Sequence, residues 1–496
     1  MGSWALRVLI AWLLPPGFDE AYYFLYTQHW DWSYFDHPVM VALTTAVGPW
    51  LTGYIAPLTI RLGALVLYGL STGLLYCSGR RLFGPSVGMW AVAIASLCPL
   101  FIFSFGLLAA PDNGLIFWWS MAIYVAVLEF FPIKKPYRPT AKIAFIGLLL
   151  GLVCLSKYHG FVLGLSLVGF CITSSQHRRA LCSPWMGVAL VLFGVTLTPL
   201  VYWNIQHHWL SFGFHLSTRF DGSDRAMFNP LAMLGVWLVG VAYLFPSLGF
   251  PLWWVSGRSL WQLDNLQKRF VLWLGLPIAL GFTLLGGLTH IYPAWPAPGL
   301  WSLSLLLAAA MVDWSLSTVR RWLVGSALVM AALLLFALGH VAFGTLQKPG
   351  GVIEMLAPAT DPTTTMIDVV QLRRLLNEGA VADAIATTNF LVTNEFWLSG
   401  YVDMAVSPLT QAPVMAFSQD PRGHSVWFHP TEWVGHSGIF LTIDDYDQAE
   451  ILAVYAPYFE KFDLLEVLET KRAGATTETF YLYALGQLTT PYKYPY

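Results

Sequence analysis

A cluster of carboxylates and aromatic rings stands near the start of the chain. Gly17-Phe18-Asp19-Glu20-Ala21-Tyr22-Tyr23 leads on to Trp32-Ser33-Tyr34-Phe35-Asp36-His37-Pro38, with His29, Trp30 and Asp31 between. The run follows directly on an apolar stretch, Trp4–Leu14, at the depth where a chain leaves a bilayer. Tyr and Trp are expected there, whereas adjacent carboxylates are costly unless paired or wet. One reading is a solvated loop dressed with interfacial rings. The other is a site in which a carboxylate takes a proton from a substrate walled by the rings.

Four more polar clusters recur at the ends of apolar runs. They are Pro111-Asp112-Asn113, Ser156-Lys157-Tyr158-His159-Gly160, the loop Asn204–Pro230 with His207-His208, His215 and Arg219, and Thr289-His290-Ile291-Tyr292-Pro293-Ala294-Trp295-Pro296. Acids mixed with Lys, Arg and His suit an anionic substrate that loses a proton elsewhere in the site, and five such clusters on one face suggest a shared hydrated cavity. Each also has a plain structural reading. Asp112-Asn113 would cap a helix beginning at Gly114, and Lys157 would snorkel from a helix end. His207 and His208, as neighbours, do not share a helix face and so make a poor metal pair. Arg219 would staple Asp221 or Asp224, and His290 would sit at the interface as an ordinary amphipathic ring.

The elements that carry these clusters are apolar helices. Hydrophobic residues make up 56% of the 496 positions and charged residues only 11%, which marks a polytopic membrane protein. Apolar runs follow Trp4–Leu14 at about 56–78, 86–108, 114–131, 143–155, 161–174, 186–203, 231–255, 270–288, 297–312 and 322–343, eleven spans in all. The first is shorter than the ~20 residues of a span and reads as a retained, 5′-truncated helix. One set of connectors holds thirteen Lys or Arg (80, 81, 134, 135, 138, 142, 178, 179, 258, 268, 269, 320, 321) and three acids; the other holds four basic residues and seven acids. The positive-inside rule makes the first set cytoplasmic and the polar clusters external. The expected layout is therefore a transmembrane domain over 1–343 and an external domain over 344–496.

That last part has 18 acids and 8 basic residues and no apolar run long enough to span. Helical spacing over Met366–Leu376 and Asp447–Phe459, with strand-like Phe390–Thr393, Gly438–Ile443 and Phe480–Leu485, predicts a small α/β fold. It shows no catalytic motif. The five cysteines lie in or beside apolar segments without metal-ligand spacing, and no disulfide framework is implied.

Taken as an ordered set, Asp19-Glu20-Ala21-Tyr22-Tyr23, Asp36-His37-Pro38, Pro111-Asp112 and the Tyr-Pro-Ala-Trp-Pro-Ala-Pro stretch from Tyr292 resemble the GT-C superfamily of polyprenyl-phosphate-sugar-dependent glycosyltransferases. The nearest branch is similar to glycosyltransferase family 39, with the protein O-mannosyltransferases and the lipid A aminoarabinose transferases. The resemblance implies Asp19 as catalytic carboxylate, Glu20 as its acidic neighbour and Asp112 as the second acid, with Asp36 and His37 among the substrate-binding residues. Where family members often read His-Pro-Asn-Trp-Pro-Ala, this chain has Tyr292-Pro293-Ala294-Trp295-Pro296-Ala297, with His290 two residues earlier.

The implied partners are a polyprenyl-phosphate sugar, membrane lipids and a lipid, protein or glycan acceptor at the outer face of the plasma (inner) membrane; nucleic acid is not among them. Asp19 would deprotonate the acceptor, while Lys157, His159 and Arg219 stabilise the departing phosphate. Tyr22, Tyr23, Trp30 and Tyr34 would wall the sugar. No definite cofactor is implied, and a divalent metal stands as an alternative. The rival readings are a polyprenyl-linked lipid or sugar transporter, which should place charges at mid-membrane and show repeats, and a carrier-binding scaffold without activity.

Overall fold

The structure is a computed structural model and describes residues 2–133, 136–216 and 227–496. Every apolar run is helical. Helices cover Gly2–Leu13, Pro57–Phe83, Pro85–Leu97, Pro111–Phe130, Lys142–Ser156, Gly160–Thr173, Pro184–Thr196, Thr198–Gln206, Pro230–Tyr243, Pro246–Ser259, Leu266–Leu285, Ala297–Met311 and Leu316–Phe343. Proline opens six of them at the first position, where its missing N–H has no helical partner to lose. Proline also breaks runs that read as continuous in the sequence. The helices ending at Thr196 and starting at Thr198 are bent by 42° ahead of Pro199, and those flanking Leu244-Phe245 fold back by 119° at Pro246.

Among the described residues, four helices are long and apolar enough to cross a membrane singly: Pro57–Phe83, Pro111–Phe130, Leu266–Leu285 and Leu316–Phe343. The two bent pairs raise the number to six if each is one span, and six shorter apolar helices accompany them.

The chain divides into two units. The first holds residues 1–7, 32–44 and 64–333. Its core is built on large rings that find hydroxyl partners: Trp119 Nε1 donates to Ser302 at 3.0 Å and Trp301 Nε1 to Ser120 at 3.1 Å, a reciprocal lock between two helices. Small residues let backbones approach closely. A Cβ on Gly299 would lie 2.4 Å from the Gly275 carbonyl oxygen, and one on Gly147 would lie 2.2 Å from that of Ala189.

The basic connectors of this unit line two cavities. One cavity is lined by Arg81, Pro136, Arg179 and Gln267, and a second by Phe83, Arg258, Lys268 and Asp313. Residues from all five basic connectors thus meet around two cavities.

The second unit holds residues 8–31, 45–63 and 334–496 and contains the sheet. Its strands are β1 (Phe390–Thr393), β2 (Val414–Ala416), β3 (Ser437–Ile443), β4 (Phe462–Arg472) and β5 (Ala475–Gln487), in the order β2-β1-β3-β5-β4. β1 pairs in parallel with β2 and β3, and β5 runs antiparallel to β3 and β4. β1 is buried along its length, as expected of a central parallel strand. Ala473 and Gly474, both at positive φ, make the tight turn of the β4–β5 hairpin. The three strands expected from the sequence are present, as are helices at Val369–Leu376 and Gln448–Tyr455; β2 and β4 add to them.

Candidate functional site

The short helix Phe18–Leu25 carries Asp19 and Glu20 on its first turn, and the two point to different fates. Asp19 is exposed; Glu20 is 2% exposed. Successive helical residues are turned by about 100°, so adjacent carboxylates face opposite environments. Glu20 Oε2 accepts the N–H of Gly17 at 3.0 Å, which caps the helix from its third position. Both Glu20 oxygens also accept from Arg61, at 2.8 Å from Nε and 2.5 Å from Nη2.

Arg61 is completely buried and spends its remaining donors on the carbonyls of Ala11, Leu14 and Pro15 at 3.1, 2.6 and 3.0 Å. One guanidinium therefore ties the end of the first helix to the start of the second. Nothing in the cluster spacing pointed to Arg61. The available signal was an arginine inside the apolar run 56–78, which is costly without a partner.

The same helix is held from its other side by Phe396–Val406. A Cβ on Gly400 would lie 2.3 Å from the Ala21 carbonyl, and Tyr401 donates to the Pro16 carbonyl at 2.8 Å. Tyr22 and Tyr23 are buried. The Tyr22 hydroxyl accepts from the Gly423 N–H at 3.2 Å, and its ring meets Phe396 edge-on at 5.0 Å. The Arg422 guanidinium lies 4.0 Å from the Phe396 ring centre. His29 stacks on Trp427 at 4.7 Å, and burial lowers the His29 imidazole to about 4.

Within the first unit, Asp112 and Lys157 form a buried ion pair. Lys157 Nζ donates to both carboxylate oxygens, at 3.0 and 2.9 Å, and the two residues are 6% and 8% exposed. Asp112 sits in the first turn of Pro111–Phe130, whose start lies three residues before Gly114, so Asn113 rather than Asp112 closes the cap by accepting from Ala110 N–H at 3.0 Å. Lys157 is the extended residue that ends Lys142–Ser156. Gly114 lets these helix ends meet, since a Cβ there would lie 2.9 Å from the Ser156 hydroxyl.

Around that pair the unit brings other expected residues together. His215 Nε2 donates to the Asp36 carbonyl at 2.7 Å, and its ring lies 6.1 Å from that of His37 and 5.0 Å from that of Tyr158. Tyr158 shares a hydrogen bond with Ser211 at 2.8 Å; burial pushes its phenol up to about 12, with the Asp36 carboxylate adding to the rise. His159 stacks on Phe282 at 5.1 Å, Phe282 meets Trp295, Trp295 meets Tyr292, and Tyr292 meets the exposed His290 at 4.8 Å. All five polar clusters thus have members in this unit, joined by these contacts, with Phe282 bridging His159 to Trp295. Arg219 lies outside the described residues. Among the described residues no three His, Cys, Asp or Glu side chains gather as a metal-holding set.

The model of the dolichyl-phosphate-mannose-protein mannosyltransferase family matches residues 36–203, about a third of the chain. ArnT from Cupriavidus metallidurans, solved in the apo state, has 15% sequence identity and superposes with a TM-score of 0.62 over 97% of both chains. The same protein bound to undecaprenyl phosphate gives 0.62 over 98% of both. The chain has the GT-C fold.

Lipid A galacturonosyltransferase RgtD of Rhizobium johnstonii is 25% identical to this GT-C chain over 291 residues. That stretch is 56% of each protein, so the chain spans about half the length of the curated relative it matches. The resemblance read from the ordered motifs is borne out at the level of the superfamily. The family-model segment contains Asp36, His37, Asp112, Lys157 and His159, while Asp19 and Glu20 precede it and His290 follows.

Proposed function

We propose that this chain is a membrane glycosyltransferase that moves a sugar from a polyprenyl-phosphate donor to an acceptor at the extracytoplasmic face. The observation that carries the reading is the GT-C fold with an exposed carboxylate, Asp19, on the first connector, beside a second carboxylate, Glu20, that a buried arginine takes out of play. A first turn that presents an exposed carboxylate suits a general base.

In the reaction, an acceptor hydroxyl or amine attacks the anomeric carbon and its proton passes to Asp19. The bond between that carbon and the phosphate oxygen breaks, and the electron pair leaves with the polyprenyl phosphate. A single displacement inverts the anomeric centre. Lys157 supplies positive charge for the departing phosphate, and Asp112 holds the ammonium in place until the phosphate arrives. His159 and Arg219 are assigned to the same phosphate. Tyr22, Tyr23, Asp36, His37 and His290 are assigned to the sugar and its carrier, and no step is routed through a metal.

The acceptor class we favour is a lipid, because RgtD acts on lipid A and matches more than half of this chain. The proposed topology is eleven spans with the basic connectors in the cytoplasm, supported by their gathering around two cavities. Mass spectrometry of envelope lipids and glycoproteins from cells with and without the gene tests the function. Loss of one sugar-modified lipid species on deletion is the expected result. Identical lipid and glycoprotein profiles, with altered polyprenyl-phosphate pools on one leaflet, would favour a transporter instead.

A further inference from the structure

The larger of the two cavities among the basic connectors has a volume of about 620 Å3, within the ~300–1,000 Å3 range of small-ligand sites. It lies in the first unit and is separate from the residues assigned to catalysis. Arg81, Tyr137, Ser175, Gln176, Arg179 and Gln267 supply its polar lining, Phe130 to Ile133 its apolar wall, and among the described residues no carboxylate lines it. The cavity thus presents two guanidinium charges against an apolar surface.

The wall is built, not incidental. Arg81 Nη2 donates to the Phe131 carbonyl at 2.7 Å, which fixes the guanidinium, while its buried Nε has no hydrogen-bond partner among the described residues. An unsatisfied buried donor calls for an acceptor. His177 fixes the same wall from behind: its Nε2 donates to the Phe130 carbonyl at 2.9 Å, and its Nδ1 lies 2.7 Å from the Ser174 hydroxyl. The acid next to that wall in sequence, Glu129, is turned to Thr140, from whose N–H and hydroxyl it accepts. Its carboxylate is therefore engaged by Thr140.

We propose that this cavity binds a phosphate group, supplied by the headgroup of an anionic phospholipid. Arginine forks match phosphate oxygens in a bidentate way. Basic pockets between helices on the cytoplasmic side are suited to such headgroups, with each Lys or Arg contributing about five-fold in affinity. The apolar wall would lie against the glycerol and the first acyl carbons. The inference rests on the proposed cytoplasmic side of the basic connectors but not on the transfer chemistry, because none of its residues is assigned a part in transfer.

The test uses the full-length chain in nanodiscs of phosphatidylglycerol or phosphatidylcholine, with retained lipid counted by native mass spectrometry. The wild type should hold phosphatidylglycerol in preference to phosphatidylcholine. Arg179→Gln and Arg81→Gln should each lower that preference by about five-fold, and the double variant by about thirty-fold. Gln176→Glu puts a negative charge on the cavity wall without touching the Arg81 anchor, and should lower it at least as much. Displacement of the lipid by millimolar inorganic phosphate would support the phosphate chemistry and move its source to a soluble phosphate. Equal retention of the two lipids by the wild type, or a preference unchanged in Arg179→Gln and Gln176→Glu, would overturn the proposal.

Discussion

Replacing Glu20 by Gln should unfold the first connector before it affects any chemistry. The Glu20 oxygens accept three N–H groups, two from Arg61 and one from Gly17. Glutamine offers one oxygen and turns an NH2 toward a guanidinium that is completely buried. Removing one partner of a buried ion pair costs about 3–5 kcal/mol, because the other charge stays in the low-dielectric interior. That is a large share of the ~5–15 kcal/mol that holds a typical protein folded. For a unit of this size, about 2–4 °C per kcal/mol gives a midpoint lower by about 6–20 °C.

The assay is thermal unfolding of the full chain in lipid nanodiscs. Arg61→Met should be at least as harmful, since it also strands the carbonyls of Ala11, Leu14 and Pro15. The double variant Glu20→Leu/Arg61→Met should cost less than the sum of the singles, with a coupling of roughly 0.5–3 kcal/mol. A Glu20→Gln protein that melts with the wild type, or a double variant that is strictly additive, would refute the claim that the pair holds this connector.

Lys157→Ala should lower both stability and transfer, because Asp112 is then a buried, unpaired carboxylate; Lys157→Met/Asp112→Leu should recover the midpoint but not the activity, as followed by unfolding and by product mass spectrometry. Gly400→Ala should destabilise by about 1–3 kcal/mol or more, because the new methyl meets the Ala21 carbonyl at 2.3 Å, and the unfolding midpoint reports it. Two substitutions should change the pH dependence of stability in opposite senses. The folded-state value of His29, about 4 against 6.5 unfolded, means that its neutral form stabilises above pH 6.5 and that this is lost as pH falls toward 4, so His29→Phe should flatten the acid side. Burial raises Asp403 to about 7, so its favourable protonated state is lost as pH rises from about 4 to 7, and Asp403→Asn should gain stability over the wild type across that window.

Much of this architecture was legible because a bilayer protein writes its helices in long apolar runs. All of the runs are helical, and the basic connectors that the positive-inside rule groups together do meet around shared cavities. The breaks at Pro199 and Pro246 were less visible, since apolarity continues across them. In the sheet, β3 and β5 were legible from alternation and β-branched or aromatic residues, whereas β4 (Phe462–Arg472) is the exposed edge strand and carries charges along its length, which hides the pattern.

In the candidate site, the sequence could name polar clusters but not their partners. Lys157 read as a snorkelling or phosphate-facing cation, with no sign that Asp112 would pair with it; Glu20 read as the acidic neighbour of Asp19, with no sign that it would turn inward to Arg61. Pairings between residues 45 or 41 positions apart depend on how helices pack, which local spacing does not encode.

The central claim rests on Asp19 as the base, and Asp19→Asn tests it most directly. The side chain keeps its shape and hydrogen-bonding reach while losing charge and basicity. The measurement is paired: the sugar-modified species restored when the variant is returned to deletion cells, and undecaprenyl phosphate binding by the purified chain. Transfer should fall by at least the ~10²–10⁴ that a general base supplies, with undecaprenyl phosphate binding and the unfolding midpoint at wild-type levels. Transfer retained by Asp19→Asn, or binding abolished along with it, would contradict the assignment.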